Sequence, residues 1–173
     1  KYLRAFPGGI GYTKAAGNYG ATMYPVMKIR QMGYDQILWT DGIEHKYVQE
    51  IGTMNVFFVI DGKVITPNIT DTILEGVSRD SVITILKEKG IEVTERPITI
   101  AELEEASRAG KLQEAFGTGT AASIAPIADL TYHDHKMVLP PLEEWEIANW
   151  LKQELGDIRY GRKEDTHGWI LKV

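Results

Sequence analysis

The spacing of apolar residues along the chain predicts a mixture of helices and short strands. Apolar residues at steps of three and four predict helices over residues 16–32, 77–89, 99–109 and 143–155. Short apolar runs predict buried strands over residues 36–40, 91–95 and 112–116. Because helices and strands do not alternate strictly, the predicted fold class is α/β with mixed α+β character.

Two segments have the pattern of a β-hairpin. Residues 55–60 and 63–66 are apolar runs separated by Asp61-Gly62, a pair that readily adopts the positive φ angles of a type I′ turn. A second hairpin is predicted within residues 130–139. The pattern therefore places antiparallel strand pairs in both halves of the chain.

Short sequence signals mark where the predicted helices begin and end. Gly33 and Gly90 follow two of the helical patterns and are typical helix stops. Thr99 followed by Glu102 has the spacing of a capping box and predicts a helix start. Pro140-Pro141 interrupts the chain before the last predicted helix.

Length and composition favour one domain with a substantial core. The chain has 173 residues, of which 43% are apolar. A formal net charge of -5 argues against a nucleic-acid partner, and the absence of any run of 18 apolar residues argues against a membrane-spanning helix. The absence of cysteine excludes disulfides and thiolate sites and fits a cytoplasmic enzyme, and the four histidines lack metal-ligand spacing, so no metal site is expected.

A single lysine, Lys14, stands in the segment Gly11-Tyr-Thr-Lys-Ala-Ala-Gly-Asn-Tyr19 among glycines and small residues. A lone lysine is most often a solvated surface residue. Small neighbours, however, allow a ligand to approach the backbone closely. A lysine in a dry pocket has a lowered pKa and becomes a nucleophile toward carbonyl groups.

A carboxylate and two glycine turns add to this picture. Glu50 stands where an apolar strand is predicted to begin, either as a surface residue or as a buried acid that pairs with a cationic ring nitrogen. The segment 74–78 opens a predicted helix and could bind phosphate through backbone N–H groups and the Ser78 hydroxyl. The glycine turn at 117–122 is a second candidate phosphate site.

Together these features resemble the class IV aminotransferases, the fold-type IV enzymes that depend on pyridoxal 5′-phosphate, and among them the branched-chain amino acid aminotransferases. The class signature is similar over its full length, as Glu50-x-x-x-Met54-Asn55-x-Phe57, Val64-x-Thr66 and Leu74-x-Gly76-Val77-x-Arg79. The branched-chain branch is indicated by Gly8-Gly-Ile-Gly-x-x-Lys14, Gly17-Asn-Tyr19 and Phe116-Gly-x-Gly-Thr-Ala121. The resemblance continues to Ile158, Tyr160 and Gly161.

The resemblance implies roles for residues that hold the cofactor. Lys14 matches the lysine that bonds to the cofactor aldehyde and then carries protons, and Tyr19 matches the tyrosine at the cofactor's phenolic oxygen. Glu50 matches the acid at the pyridine nitrogen. The phosphate is assigned to residues at a helix start and in the glycine turn, namely Val77, Ser78 and Thr120.

The resemblance also implies a substrate site. Thr53 and Ala121 match residues that bind the substrate carboxylate, and Ala122 is expected to help. Asn55 and Arg79 belong to the signature but are expected to be structural, and the role of Arg4 is left open. The chain departs from the family pattern in two ways. Ala16 replaces a usual glycine, which is tolerated only at negative φ, and Ala122 and Ala125 replace the two cysteines of many animal members.

The implied activity is transfer of the amino group of leucine, isoleucine or valine to 2-oxoglutarate, giving branched 2-oxo acids and glutamate. The implied partners are these small molecules and further copies of the chain, as a homodimer or higher homo-oligomer in the cytoplasm. Residues 1–173 would form the large, cofactor-binding domain, with a small N-terminal domain outside this chain. Other class IV enzymes remain alternatives, namely a D-amino acid aminotransferase or an aminodeoxychorismate lyase, as does a non-catalytic relative that binds pyridoxal phosphate.

Overall fold

The computed structural model of the protein describes residues 2–171. Its helices are α1 (Ala16–Gln31), α2 (Val77–Glu88), α3 (Ile100–Arg108) and α4 (Ile147–Arg159), with a 3₁₀ turn at Leu142–Glu144. Its strands are β1 (Leu38–Thr40), β2 (Val48–Ile51), β3 (Asn55–Ile60), β4 (Lys63–Thr66), β5 (Val93–Glu95), β6 (Leu112–Thr118), β7 (Ala125–Pro126), β8 (Asp129–Tyr132) and β9 (His135–Val138). The predicted mixture of helices and strands is confirmed.

A five-stranded sheet in the order β5-β4-β3-β6-β7 forms the centre of the fold. Only β4 and β5 pair in parallel, and the other neighbours in this sheet are antiparallel. The predicted β3–β4 hairpin is confirmed, with φ of 52° at Asp61 and 75° at Gly62 as a type I′ turn requires. Phe57 and Phe116 are register partners in β3 and β6, and their rings stack at a centroid distance of 5.3 Å.

The core lies around β3 and the helices that cover this sheet. Val56, Phe57 and Phe58 are fully buried in succession, so β3 is covered on both faces. The side chains that α2 buries include Val82, Ile83, Ile85 and Leu86, as the helical spacing predicts. Helices α3 and α4 pack on β6, and their buried residues join the same apolar cluster. This packing fixes the ends of β3 and β6, where the candidate site lies.

Local signals placed most helix ends correctly. Helix α1 ends just before Met32 and Gly33, and α2 ends just before Lys89 and Gly90. At α3 the Thr99 side chain accepts a hydrogen bond from the Glu102 N–H over 3.1 Å, as in the predicted capping box. The carboxylate of Glu102 pairs instead with Arg96, so only this half of the capping box forms. The second hairpin is confirmed as β8 and β9.

Several boundaries differ from the sequence prediction. Glu50 was expected at the start of a strand, but it lies inside the separate strand β2, opposite Trp39 of β1. Strand β6 continues to Thr118, so the predicted glycine turn begins later than residue 117. The last helix, predicted over 143–155, begins at Ile147 because residues 142–144 form a 3₁₀ turn instead, and it continues to Arg159.

The start of α4 is fixed by a carboxylate from the central sheet. Glu114 of β6 is buried, and its oxygens accept the backbone N–H groups of Glu146, Ile147 and Ala148 over 2.8, 2.9 and 2.7 Å. These are N–H groups that a helix start leaves unpaired. Within residues 2–171, no helix is both long enough and apolar enough to cross a lipid bilayer.

Candidate active site

A tight turn between β2 and β3 forms the centre of the candidate site. Ile51 and Met54 exchange two backbone hydrogen bonds of 2.9 Å, which leaves Gly52 and Thr53 at the tip. Gly52 has a φ of 57°, and a β-carbon there would lie 2.3 Å from the Gln36 side-chain oxygen. The turn therefore requires glycine at position 52. Thr53 is exposed beside it.

The connector between β4 and α2, residues 67–76, is anchored by two buried side chains. Asn55 donates to the Leu74 carbonyl over 2.7 Å, and Arg79 donates to the Pro67 carbonyl over 3.0 Å. A β-carbon at Gly76 would lie 2.2 Å from Asn55 Oδ1, so the connector needs glycine just before α2. These contacts agree with the expectation that Asn55 and Arg79 are structural.

The same connector holds the loop that precedes Lys14. Asp71 accepts the Gly8 N–H through its carboxylate over 2.6 Å and the Tyr12 N–H through its backbone carbonyl over 3.0 Å. Gly11 lies so close to the connector that a β-carbon would stand 2.8 Å from Thr72 Cα. From the other side, Asn18 donates to the carbonyls of Ile10 and Thr13 over 2.8 and 3.0 Å.

Lys14 and Tyr19 face each other at the start of α1. The Lys14 amine donates to the Tyr19 hydroxyl over 3.2 Å and lies 4.9 Å from the centre of the Tyr19 ring. Lys14 is exposed, but the loop before it is held by the contacts of Gly8, Gly11 and Tyr12. Ala16 has no positive φ, because it is the first residue of α1, so alanine is accommodated where the family usually has glycine.

Glu50 is buried, with only 2% of its surface exposed, so the interpretation as a surface residue is wrong. Its Oε1 accepts the Leu74 backbone N–H over 2.7 Å, and its Oε2 pairs with Arg4 Nε over 2.7 Å. Burial raises the pKa of Glu50 to about 7, while the charge of Arg4, the Leu74 N–H and the charge of Lys14 each favour the ionised form. Glu50 can therefore exchange a proton near neutral pH.

The start of α2 offers unpaired donors. The residue before the helix is Gly76, which has no side chain to cap it. Within residues 2–171, the hydroxyl of half-buried Ser78 makes no hydrogen bond, and the neighbouring Val77 is 84% exposed. A helix start of this kind is suited to an anion such as phosphate.

The end of β6 lies beside the β2–β3 turn. Thr118 is the register partner of Asn55, and Met54 fills the space beneath Gly117 and Gly119, where β-carbons would lie 2.8 and 3.1 Å from its side chain. Gly119 donates its backbone N–H to the Ala122 carbonyl over 3.1 Å and so closes a turn. The turn leaves three predicted site residues exposed on this edge, Thr120, Ala121 and Ala122.

The predicted site residues thus fall into three linked groups. Lys14 and Tyr19 are in direct contact, and the charge of Lys14 reaches Glu50. Val77 and Ser78 are tied to Glu50 through the connector and Leu74. Thr53 and the turn at 119–122 are tied together through Met54.

Sequence reasoning named Arg4 without a role, quoted Asn18 only as part of a motif and did not single out Asp71, so it did not assign the residues that position these groups. The contacts of Arg4 and Asp71 join residues far apart in the sequence, and those of Asn18 are to backbone carbonyls. No short sequence motif predicts such contacts. For Arg4 the available signal was an arginine a few residues before a glycine-rich loop, and for Asn18 it was its place between Gly17 and Tyr19. Within residues 2–171, no group of three or more His, Asp or Glu side chains could hold a metal ion.

Comparison with known sequences identifies a family. The family profile "Amino-transferase class IV" matches residues 12–130. A "Probable branched-chain-amino-acid aminotransferase" of Staphylococcus aureus (strain N315) is 46% identical over all 173 residues, which is 48% of that relative. "Branched-chain-amino-acid aminotransferase 2" of Bacillus subtilis (strain 168) is 43% identical over the whole chain, again 48% of the relative. The chain spans about half the length of the curated relatives it matches.

Solved structures show the same architecture. The branched-chain amino acid aminotransferase from Escherichia coli matches with a TM-score of 0.82 and 29% identity, over 99% of this chain and 55% of that one. The branched-chain amino acid aminotransferase from Thermobaculum terrenum, solved in its PLP-form, matches with a TM-score of 0.76 and 32% identity, over 94% of this chain and 50% of that one. These matches confirm the predicted fold-type IV architecture. From its family profile match, the chain belongs to the class IV aminotransferases.

Proposed function

We propose that the complete protein containing this chain transfers the amino group of leucine, isoleucine or valine to 2-oxoglutarate, using pyridoxal 5′-phosphate. One observation carries the proposal: the connector 67–76 holds the lysine loop, the buried Glu50 carboxylate and the start of α2 in one arrangement. Relatives that are 41–46% identical over the whole chain are named as branched-chain aminotransferases, which favours this substrate class.

The donor set fits the cofactor. When bound, pyridoxal phosphate supplies an aldehyde and an electron-withdrawing ring. The Lys14 amine is exposed and so is available to react with the aldehyde. Tyr19 Oη lies 3.2 Å from Lys14 Nζ, where it could contact the phenolic oxygen of the cofactor. The Glu50 carboxyl, with a pKa near 7, matches a pyridine nitrogen as hydrogen-bond partner. The start of α2 has no side-chain cap, so its backbone N–H groups are available to bind the phosphate.

Lys14 is proposed to move protons. A primary amine that has released the cofactor can accept a proton from the substrate α-carbon and deliver it to a neighbouring carbon. Tyr19 fixes the amine through the hydrogen bond to Lys14 Nζ, and Asn18 fixes the loop below it. These contacts would limit the positions that the amine can take when the cofactor is bound.

Glu50 is proposed to hold the proton of the ring nitrogen. An ionised Glu50 carboxylate would favour the protonated form of that nitrogen when the cofactor is bound. The Leu74 N–H and Arg4 keep the carboxylate in place, and its burial excludes water from the contact.

The exposed edge formed by two turns is the proposed substrate site. Val77 and Ser78, with Thr120, would bind the phosphate, while Thr53 and the turn residues Ala121 and Ala122 would bind the substrate carboxylate. The backbone N–H groups of a turn suit a carboxylate, as they suit other anions. We further propose that this chain is the large domain, that a small N-terminal domain completes the site, and that the protein acts in the cytoplasm as a homodimer or larger homo-oligomer.

The experiment is a substrate panel on the complete protein with pyridoxal phosphate. Glutamate formation from 2-oxoglutarate is measured with leucine, isoleucine and valine, then with D-alanine. Pyruvate release from 4-amino-4-deoxychorismate is measured separately, and a Lys14→Ala variant serves as the control. The proposal predicts glutamate only with the branched L-amino acids and only with Lys14 present. Turnover restricted to D-alanine or to 4-amino-4-deoxychorismate, or turnover that survives Lys14→Ala, would contradict it.

A further inference from the structure

Arg4 is a buried arginine with contacts to three separate segments. It is 5% exposed, and its Nε pairs with Glu50 Oε2 over 2.7 Å. Its Nη1 donates to the Thr72 carbonyl over 2.8 Å, and its Nη2 donates to the Gly11 carbonyl over 3.2 Å. The planar guanidinium thus places its donors on a carboxylate and on two backbone carbonyls at once.

The contact with Glu50 has an electrostatic consequence. A buried carboxylate is driven toward its neutral form unless an opposite charge or N–H donors compensate. The charged groups that act on Glu50 are Arg4 and Lys14, and the Leu74 N–H adds one hydrogen bond. Of the two cations only Arg4 is buried against the carboxylate, since Lys14 is exposed. Arg4 is therefore the main compensation for the charge of Glu50.

The contacts with the two carbonyls have a geometric consequence. Gly11 belongs to the loop that carries Lys14, and Thr72 belongs to the connector that carries Leu74 and leads into α2. Gly11 and Thr72 pack so closely that a β-carbon at Gly11 would lie 2.8 Å from Thr72 Cα. Arg4 links this packed pair to Glu50 and so connects the loop that carries Lys14 with the Glu50 carboxylate.

We propose that Arg4 is a positioning residue that favours the ionised form of Glu50 and sets the spacing between Glu50 and the lysine loop. Its importance for turnover rests on the proposed function above. Its effect on Glu50 is a property of the chain itself and is testable with no cofactor present. Lysine cannot replace Arg4 fully, because an ammonium group lacks the planar set of N–H donors with which the guanidinium reaches all three acceptors.

The first test follows the Glu50 carboxyl in the cofactor-free complete protein. Carbon-13 label in the glutamate side chains reports each carboxyl's titration by NMR, and loss of one signal in Glu50→Gln identifies Glu50. Arg4→Gln is expected to raise the pKa of Glu50 by about one unit or more, and Arg4→Lys by less, since the charge remains. Arg96→Gln is the matched control, because it removes an arginine–glutamate pair with Glu102 elsewhere in the fold. A Glu50 pKa that is the same in Arg4→Gln and Arg96→Gln would overturn the electrostatic part.

The second test separates charge from geometry in the cofactor-loaded protein, and it remains informative if Arg4→Gln does not fold. Arg4→Lys is expected to lower kcat about tenfold or more with little change in KM, since the charge stays but the fork is lost. Full kcat in Arg4→Lys would overturn the geometric part. A wild-type protein that binds no pyridoxal phosphate would instead contradict the proposed function, and the NMR titration would still decide the effect of Arg4 on Glu50.

Discussion

The Leu74 backbone N–H donates to Glu50 Oε1 over 2.7 Å, three residues before α2 begins. The bond ties the only buried carboxylate among the predicted site residues to the connector that leads to the proposed phosphate site. A change in the ionisation of Glu50 therefore acts on the stability of the connector as well as on the chemistry.

The pH dependence of stability should report the ionisation of Glu50. Because burial raises its pKa to about 7 in the folded chain from 4.5, the folded state holds the proton more tightly than the unfolded state does. The contribution of Glu50 to the unfolding free energy is complete below about pH 4.5. It decreases by on the order of 3 kcal/mol as the pH rises through about 7. Urea unfolding of the cofactor-free protein at several pH values checks this. The unfolding free energy of the wild type minus that of Glu50→Gln should decrease between about pH 4.5 and 7. A free-energy difference that stays constant with pH would contradict the raised pKa of Glu50.

Activity should depend on the charge of Glu50 more than on its shape. Gln keeps an oxygen for the Leu74 N–H but cannot favour a protonated ring nitrogen. In the cofactor-loaded complete protein, Glu50→Gln should lower kcat by roughly 100-fold while pyridoxal phosphate still attaches to Lys14. Steady-state kinetics with leucine, together with the absorbance of the bound cofactor, measure both effects. Unchanged kcat in Glu50→Gln would show that the assigned role is wrong.

Because the lysine loop lies close to the connector, replacing Gly11 in that loop should destabilise the protein. A β-carbon at Gly11 would lie 2.5 Å from Ala5 Cβ and 2.8 Å from Thr72 Cα, so Gly11→Ala should cost about 1–3 kcal/mol of unfolding free energy. Gly20 is the matched control, because it lies in α1 with open space around it, and Gly20→Ala should stabilise by about 0.5–1 kcal/mol. Thermal unfolding followed by circular dichroism compares the two. Equal effects from both substitutions would rule out the tight contact.

The cap that Glu114 provides to α4 can be tested apart from the active site. Replacing Glu114 with alanine leaves three N–H groups at the partly buried start of α4 without their acceptor, so Glu114→Ala should lower the unfolding free energy by about 2–4 kcal/mol. Glu143→Ala, at an exposed position in the preceding 3₁₀ turn, should change it by less than about 0.5 kcal/mol. Denaturant titrations of both variants provide the comparison. A Glu114→Ala loss no larger than the Glu143→Ala loss would exclude the cap.

Local signals were sufficient for much of the fold. The Asp61-Gly62 turn, the stops at Gly33 and Gly90 and the Thr99 cap each act within a few residues, so their patterns are visible in the sequence. Strand β2 was missed because Gln49 and Glu50 are polar yet buried, and a polar pair does not look like a core strand. Only distant partners make that burial possible.

In the candidate active site, too, the sequence indicated which residues matter but not the distant contacts that position them. The resemblance to a family assigned Lys14, Tyr19 and Glu50 to one site, and in the structure the first two are in contact while the charge of Lys14 reaches Glu50. What the sequence could not predict is how these residues are held. Arg4 and Leu74 reach Glu50 from segments far along the chain, and such contacts depend on the folded topology.

Lys14 is the residue proposed to bond to the cofactor, and chemical trapping of that bond identifies the lysine involved. The complete protein is loaded with pyridoxal phosphate, reduced with borohydride and digested, and the labelled peptide is located by mass spectrometry. Wild-type protein should carry a pyridoxyl group on Lys14, while Lys14→Ala should carry none and retain only weak, reversible cofactor binding. A label on any other lysine, or none on the loaded wild-type protein, would contradict the account.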